Sequence, residues 1–164
     1  MSPAAVHNPF FHIGFIVPDL EAGMDEFQTA LGIEWRAPID ATVPLRGPDG
    51  VIESNVYSVY SAGGPPALEL IQSVPGTPLA GNGGVSFHHL GFWTDQLASS
   101  SRDLDAQGWP CAATVASFDE DPSRFTLHRS PHGFYVELFD TAIPRHDDLL
   151  PNPEAGAPHQ PPGV

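Results

Sequence analysis

Two histidines and two glutamates stand where an ordinary surface role explains them poorly. Glu69 sits inside Ala67-Leu68-Glu69-Leu70-Ile71, and Glu137 inside Tyr135-Val136-Glu137-Leu138-Phe139. Both segments read as buried strands. An ionised carboxylate buried without a partner costs several kcal/mol or shifts its pKa. A divalent cation would satisfy both carboxylates, and two imidazoles are suitable companions for it. His12 and His89 are the candidates. Taken alone, a histidine at a strand start more often bonds to backbone, and a glutamate in a strand more often faces water. The arrangement of the four changes that reading.

The arrangement is a repeat. Residues 12–31 read HIGFIVPDLEAGMDEFQTAL and residues 89–108 read HLGFWTDQLASSSRDLDAQG. With a shift of 77 positions, His12 falls on His89, Gly14 on Gly91, Phe15 on Phe92 and Leu20 on Leu97. Each histidine opens a repeat, and each glutamate falls in the last strand of one. Strand side chains alternate between faces. That alternation puts His12 with Gly14 and His89 with Gly91, each pair on one face, and turns His88 the opposite way. A glycine two residues after each histidine removes a neighbouring side chain and leaves room for a ligand or solvent.

The elements that must position these groups follow from the pattern. Segments 10–17 and 87–93 are strands dense in aromatic and aliphatic residues. A helix follows each. In the first, Asp19 is the expected N-cap, Leu20, Met24, Phe27 and Leu31 share a face, and Gly32 is the stop. In the second, Asp95 is the expected cap, Leu97, Ser101 and Leu104 share a face, and Gly108 is the stop. Three strands then follow in each half, near 34–46, 51–60 and 66–73, and near 111–117, 123–130 and 133–139. The predicted fold is α+β, two tandem βαβββ modules forming a curved, cup-shaped mixed sheet with helices outside. Residues 1–140 are expected to form one domain, with module one at 9–73, a Gly- and Pro-rich linker at 74–85 and module two at 86–140. Residues 141–164 read as a Pro-rich tail, with five prolines among the last fourteen residues.

Composition narrows the partners. The 164 residues carry 20 acidic and 6 basic side chains, a net charge of −14. All basic residues are arginines (36, 46, 102, 124, 129 and 145) and there is no lysine. Such a chain is repelled by nucleic acid and by anionic membranes. It also has few groups with which to hold a polyphosphate. No apolar run approaches the roughly 20 residues of a membrane span, and no secretory signal pattern opens the chain. One cysteine, Cys111, excludes an internal disulfide and reads as a buried apolar residue. A cytoplasmic location is the expectation. His128 and His132, beside the last turn, are expected to face solvent. The Gly81-Asn82-Gly83-Gly84 run lacks the lysine of a phosphate loop.

The segments His12-Ile13-Gly14-Phe15 with Pro18-Asp19-Leu20, Leu68-Glu69-Leu70, His88-His89-Leu90-Gly91-Phe92, Pro131-His132-Gly133 and Val136-Glu137-Leu138 together resemble the vicinal-oxygen-chelate superfamily. That group includes glyoxalase I, methylmalonyl-CoA epimerase, extradiol dioxygenases and bleomycin-resistance proteins. The resemblance covers roughly residues 10–140. It implies one divalent ion (Mg, Mn, Co, Ni, Zn or Fe) held by His12, Glu69, His89 and Glu137, and a homodimer acting on a small molecule. Its layout is closest to the epimerases and glyoxalase I. A fourth ligand, at Glu69, favours redox-neutral chemistry. The implied activity is an isomerase, epimerase or lyase that removes the proton alpha to a metal-bound carbonyl through an enolate or enediolate. Glu137 is the first choice for base and Glu69 the second. Glu53 lies near an extra catalytic glutamate of the epimerases.

Two features of the chain depart from the epimerases: Glu rather than Gln at the second ligand, and no lysine for a phosphate-rich cofactor such as CoA. One alternative is an Fe(II) ring-cleaving dioxygenase using His12, His89 and Glu137. Another is a non-catalytic antibiotic-binding module whose Trp35, Tyr57, Tyr60, Trp93 and Phe125 stack a flat ligand.

Overall fold

The computed structural model describes residues 10–116 and 121–142. The tail beyond 142 lies outside the described residues. The element order is β1 (Phe10–Val17), α1 (Leu20–Leu31), β2 (Ile39–Gly47), β3 (Gly50–Tyr60) and β4 (Ala67–Gln72), then β5 (Ser86–Thr94), α2 (Leu97–Ala106), β6 (Cys111–Val115), β7 (Ser123–Arg129) and β8 (Tyr135–Asp140). It is the same β-α-β-β-β unit twice. The eight strands run in the order β1-β4-β3-β2-β6-β7-β8-β5 and close on themselves. The sheet therefore curls further than an open cup. Among the described residues, β2 and β6 pair at Leu45 with Val115 and Arg46 with Thr114, and the Ala116 amide donates to the Pro44 carbonyl. The other junction of the two halves, β1 against β5, runs antiparallel from Phe10 to Ile16. Each of these strands is flanked on its other side by a parallel partner, β4 for β1 and β8 for β5. The first and last strands of both units thus lie side by side.

Two apolar clusters fill the barrel. Ile16, Leu45, Ile71, Leu79, Ala113 and Leu127 pack together towards one end. Phe11, Tyr60, Ala67 and Trp93, with Ile39 and Phe139, pack towards the other. Two more clusters seat the helices outside: Leu20 of α1 on Val17, Val59 and Leu70, and Leu97 and Leu104 of α2 on Val136 and Leu138.

Local chemistry shapes the elements. Asp19 caps α1 by accepting from the Ala22 amide, and Gly32 ends it in the left-handed region at φ 68°. Leu31 was expected on the buried face but is 65% exposed. The helix is seated on the sheet through Leu20, Met24 and Phe27, and Leu31 is not part of that cluster. Asp95 does not cap α2. Gln96 holds that position without a side-chain bond, and Thr94 accepts from the Gln96 amide instead. The stretch before β2 does not extend back to residue 34; Trp35 makes a single bridge to Ser61 and packs under α1 with Phe27.

The segment between the halves does more than link. Leu79 is 3% exposed inside the barrel, and the Val74 amide donates to its carbonyl. The loop returns Leu79 to the apolar cluster inside the barrel, with Val74 packed against that cluster.

Candidate metal centre

Strand alternation aims Glu69 of β4 and Glu137 of β8 into the barrel between the two apolar clusters. His12 of β1 and His89 of β5 come from the antiparallel pair between them. All four are buried: His12 and His89 at 0%, Glu69 at 5% and Glu137 at 6% exposure. One donor atom from each lies within 4.8 Å of all the others. Glu69 Oε2 is 3.3 Å from His12 Nε2 and 3.2 Å from His89 Nε2. Glu137 Oε2 is 3.0 and 3.5 Å from the same two atoms. The two Nε2 atoms are 2.7 Å apart.

These residues fit a cation. Four ligands about 2.1 Å from a common centre are separated by about 3.0 Å at right angles or about 3.4 Å in a tetrahedron. The four histidine–glutamate edges match. Both Oε2 atoms are buried and lack a hydrogen bond, which is costly for a carboxylate in an apolar interior.

The ionisation of the cluster points the same way. Burial pushes His12 towards neutrality, but the carboxylates of Glu137 and Glu69 beside it outweigh that and raise its pKa to about 9. Burial likewise pushes Glu69 up, and the two imidazoles outweigh it, holding the carboxyl well below the usual carboxylate range. Positive charge is wanted here, and a divalent ion can supply it in place of a proton. Tyr60 lines the cluster. Its ring meets His12 edge-on at 5.4 Å. Burial, and then the charges of the two glutamates, push the phenol well above its ordinary value, so it stays a donor.

Glycines make the convergence possible, though not as expected. A Cβ on Gly14 would lie 2.0 Å from Cε1 of His89, and a Cβ on Gly91 would lie 2.0 Å from Cε1 of His12. The space beside each histidine is filled by the ring of the other.

Strict alternation fails at one position in each half. In the β1–β5 ladder His12 opposes Gly91 but Phe10 opposes Phe92, so Phe11 is an extra residue. Likewise Gly14 opposes His89 and Phe15 opposes Phe87, which makes His88 extra. Such bulges re-aim side chains. His88 therefore does not face away from His89: its Nδ1 is 2.8 Å from His89 Nδ1, and its Nε2 is 2.8 Å from the Pro78 carbonyl. Burial, then the nearby His89, lowers its pKa to about 4.

Other residues fall elsewhere. Glu53 is not brought to the cluster: it is exposed, on the outer face of β3, because the even positions Ser54, Val56, Ser58 and Tyr60 face inward. His128 is fully buried rather than solvent-facing, with Nε2 3.0 Å from Ser101 Oγ and Nδ1 donating to the Trp109 carbonyl at 2.7 Å. It joins β7 to α2 outside the barrel. His132 is exposed. Cys111 is only half-buried. Of the five aromatics expected to line a cup, Trp35 and Tyr57 pack outside against α1. Tyr60, Trp93 and Phe125 face inward, and Trp93 stacks on Phe11 at 4.3 Å.

Solved structures share this architecture. Methylmalonyl-CoA epimerase from Mycobacterium tuberculosis superposes with a TM-score of 0.54 at 17% identity, over 85% of this chain and 92% of the other. A methylmalonyl-CoA epimerase in complex with methylmalonyl-CoA and ammonium gives 0.55 at 18% identity, over 88% and 99%. A variant of 4-hydroxymandelate synthase from Streptomyces coelicolor gives 0.52 at 19% identity; the match spans 84% of this chain but 39% of that one. At such identities the likeness is one of fold. No curated protein sequence matches the chain. A family model does, over residues 11–126, taking in both histidines and Glu69. With the paired modules and that match in hand, the chain belongs to the glyoxalase/bleomycin resistance protein/dioxygenase superfamily.

Proposed function

We propose that the protein is a divalent-metal-dependent isomerase, epimerase or lyase that removes a proton alpha to a carbonyl of a small molecule. The observation that carries this is the buried set of two imidazoles and two carboxylates whose lone pairs converge. A cation bound there would act as a Lewis acid on the carbonyl. The chain's own residues do the rest. His12 and His89 hold the centre from one wall. Glu69 Oε2 stands 3.3 and 3.2 Å from the two imidazoles, and its depressed pKa makes it a poor base. That leaves Glu137, whose Oε2 is 3.0 and 3.5 Å from the two imidazoles. It is the better placed base and can move a proton between the two faces of the reacting carbon. Apolar side chains on both sides of the cluster exclude water and strengthen these interactions.

Glu69 lies as near the imidazoles as Glu137 does, which disfavours the dioxygenase alternative in which Glu69 is a bystander. The substrate we infer is small and lacks a polyphosphate. Among the described arginines, Arg102, Arg124 and Arg129 are exposed, and the chain has no lysine.

The test is elemental analysis of protein purified without chelator, then a solvent-deuterium exchange screen over small carbonyl compounds and thioesters. One bound divalent ion and exchange lost by a factor of about 10²–10⁴ in Glu137→Gln are expected. Oxygen uptake with catechols in place of exchange would move the assignment to the dioxygenase class.

A further inference from the structure

His88 is outside the four-residue cluster yet bonded to it, and its two hydrogen bonds dictate where protons sit. The Pro78 carbonyl can only accept, so His88 Nε2 carries the hydrogen. Nδ1 of a neutral His88 is then an acceptor, and the proton between the two rings belongs to His89 Nδ1. His89 is left with its lone pair on Nε2, the atom that faces Glu69, Glu137 and His12.

The surroundings are built to hold this chain of contacts. Tyr135 stacks on His88 at 4.7 Å and 28°. The Pro78 carbonyl is held in place by Thr77, whose hydroxyl donates to the Val74 carbonyl and accepts from the Leu79 amide, while Leu79 is anchored in the barrel.

The other half of the molecule is an internal control. The repeat-related position is Phe11, carried on the matching bulge and set edge-on to His12 at 4.1 Å. A phenyl ring offers no acceptor, and His12 Nδ1 is buried with no hydrogen-bond partner among the described residues. The two histidines are therefore not equivalent, although the repeat makes them so in sequence.

We propose that His88 is a positioning residue which, through the Pro78 carbonyl, fixes the tautomer and ring plane of His89, making His89 the anchored metal ligand and His12 the adaptable one. This rests on the metal-centre reading above. Ligand histidines are commonly oriented through their second nitrogen by a carboxylate, a carbonyl or water, and loss of that partner weakens metal affinity about 10–100-fold. Here a second imidazole relays the contact from the loop between the modules.

The experiment has two arms on the full-length chain. In the first, ¹⁵N–¹H correlation spectra of metal-free protein report the tautomers: His88 protonated on Nε2 and His89 on Nδ1 are expected, and His89 protonated on Nε2 overturns the proposal. In the second, Co(II) is titrated into wild type, H88F, H88N and H88Q. H88F keeps a ring on Tyr135 and loses both hydrogen bonds; its affinity is expected to fall about 10–100-fold. Asn keeps an acceptor near Nδ1, whereas Gln reaches towards Pro78 without one, so H88N should bind Co(II) more tightly than H88Q. That comparison decides if H88F does not fold. Equal affinity of wild type and H88F, or H88Q tighter than H88N, overturns the role of His88 alone. Absence of Co(II) binding by wild type overturns the metal centre itself.

Discussion

At the scale of single residues, the unusual feature is the exchange of space between Gly14 and His89 and between Gly91 and His12. A methyl group at either glycine would meet the far ring at 2.0 Å, a distance real Cβ atoms do not tolerate. Gly14→Ala and Gly91→Ala should each destabilise the fold by about 1–3 kcal/mol through overpacking. Each should also weaken metal binding by displacing an imidazole. Gly63→Ala is the matched control, since nothing lies within 4 Å of its Cβ. Thermal melts and metal titrations of the three variants check this; a Gly14→Ala protein matching the control in both would refute the reciprocal fit. The Gly residues and their spacing from the histidines are visible in the sequence. What occupies the space is not, because the occupant comes from a distant residue, His89 for Gly14 and His12 for Gly91.

At the scale of elements, two features join pieces that the chain order separates. Leu79 returns from the inter-module loop into the barrel, so Leu79→Ala should cost about 2–5 kcal/mol, as buried leucines do. A loss below about 0.5 kcal/mol in urea unfolding would show that the loop is a mere tether. His128 fastens β7 to α2. Its pKa is lowered by burial, against opposing contributions from the Trp109 carbonyl and the Asp105 charge. The sign follows directly. Just below the unfolded value of about 6.5 the unfolded chain binds more protons at this site than the folded one, so stability rises with pH there. The contribution is complete above about 6.5 and is lost as pH falls through the lowered folded value. His128→Gln should flatten that part of the stability–pH curve, measured by urea unfolding between pH 5 and 7. An unchanged slope would assign it to other groups. The strands and helices themselves were largely legible: Asp19, Gly32 and the Leu97-Ser101-Leu104 face stand as read. Asp95 does not cap α2 and Leu31 is not buried, because capping and burial at a helix end depend on what the end packs against.

At the scale of the whole molecule, the centre joins the first and last strands of both halves, so occupancy and global stability should be linked. A ligand that binds only the folded state adds about 2.7 kcal/mol at 100 times its Kd. Removing metal with a chelator should lower Tm, and re-adding it should raise Tm with the logarithm of its concentration. Tm independent of added divalent metal would argue that the four groups pair only with each other. The β2–β6 seam has two paired positions among the described residues. Hydrogen exchange should be faster there than across the β1–β5 junction.

The repeat, the two-module α+β plan and the four candidate ligands could all be read from the amino-acid sequence, since each rests on local periodicity or residue type. Tertiary structure alone decided that Glu53 faces water, that His128 is buried and that each histidine fills the other's glycine gap. It also decided that His88 turns inward beside His89 while Phe11 does the same beside His12. The physical reason is the bulge. One extra residue in a ladder reverses the side that a side chain faces, and an extra residue exists only relative to a partner strand that the linear sequence does not specify.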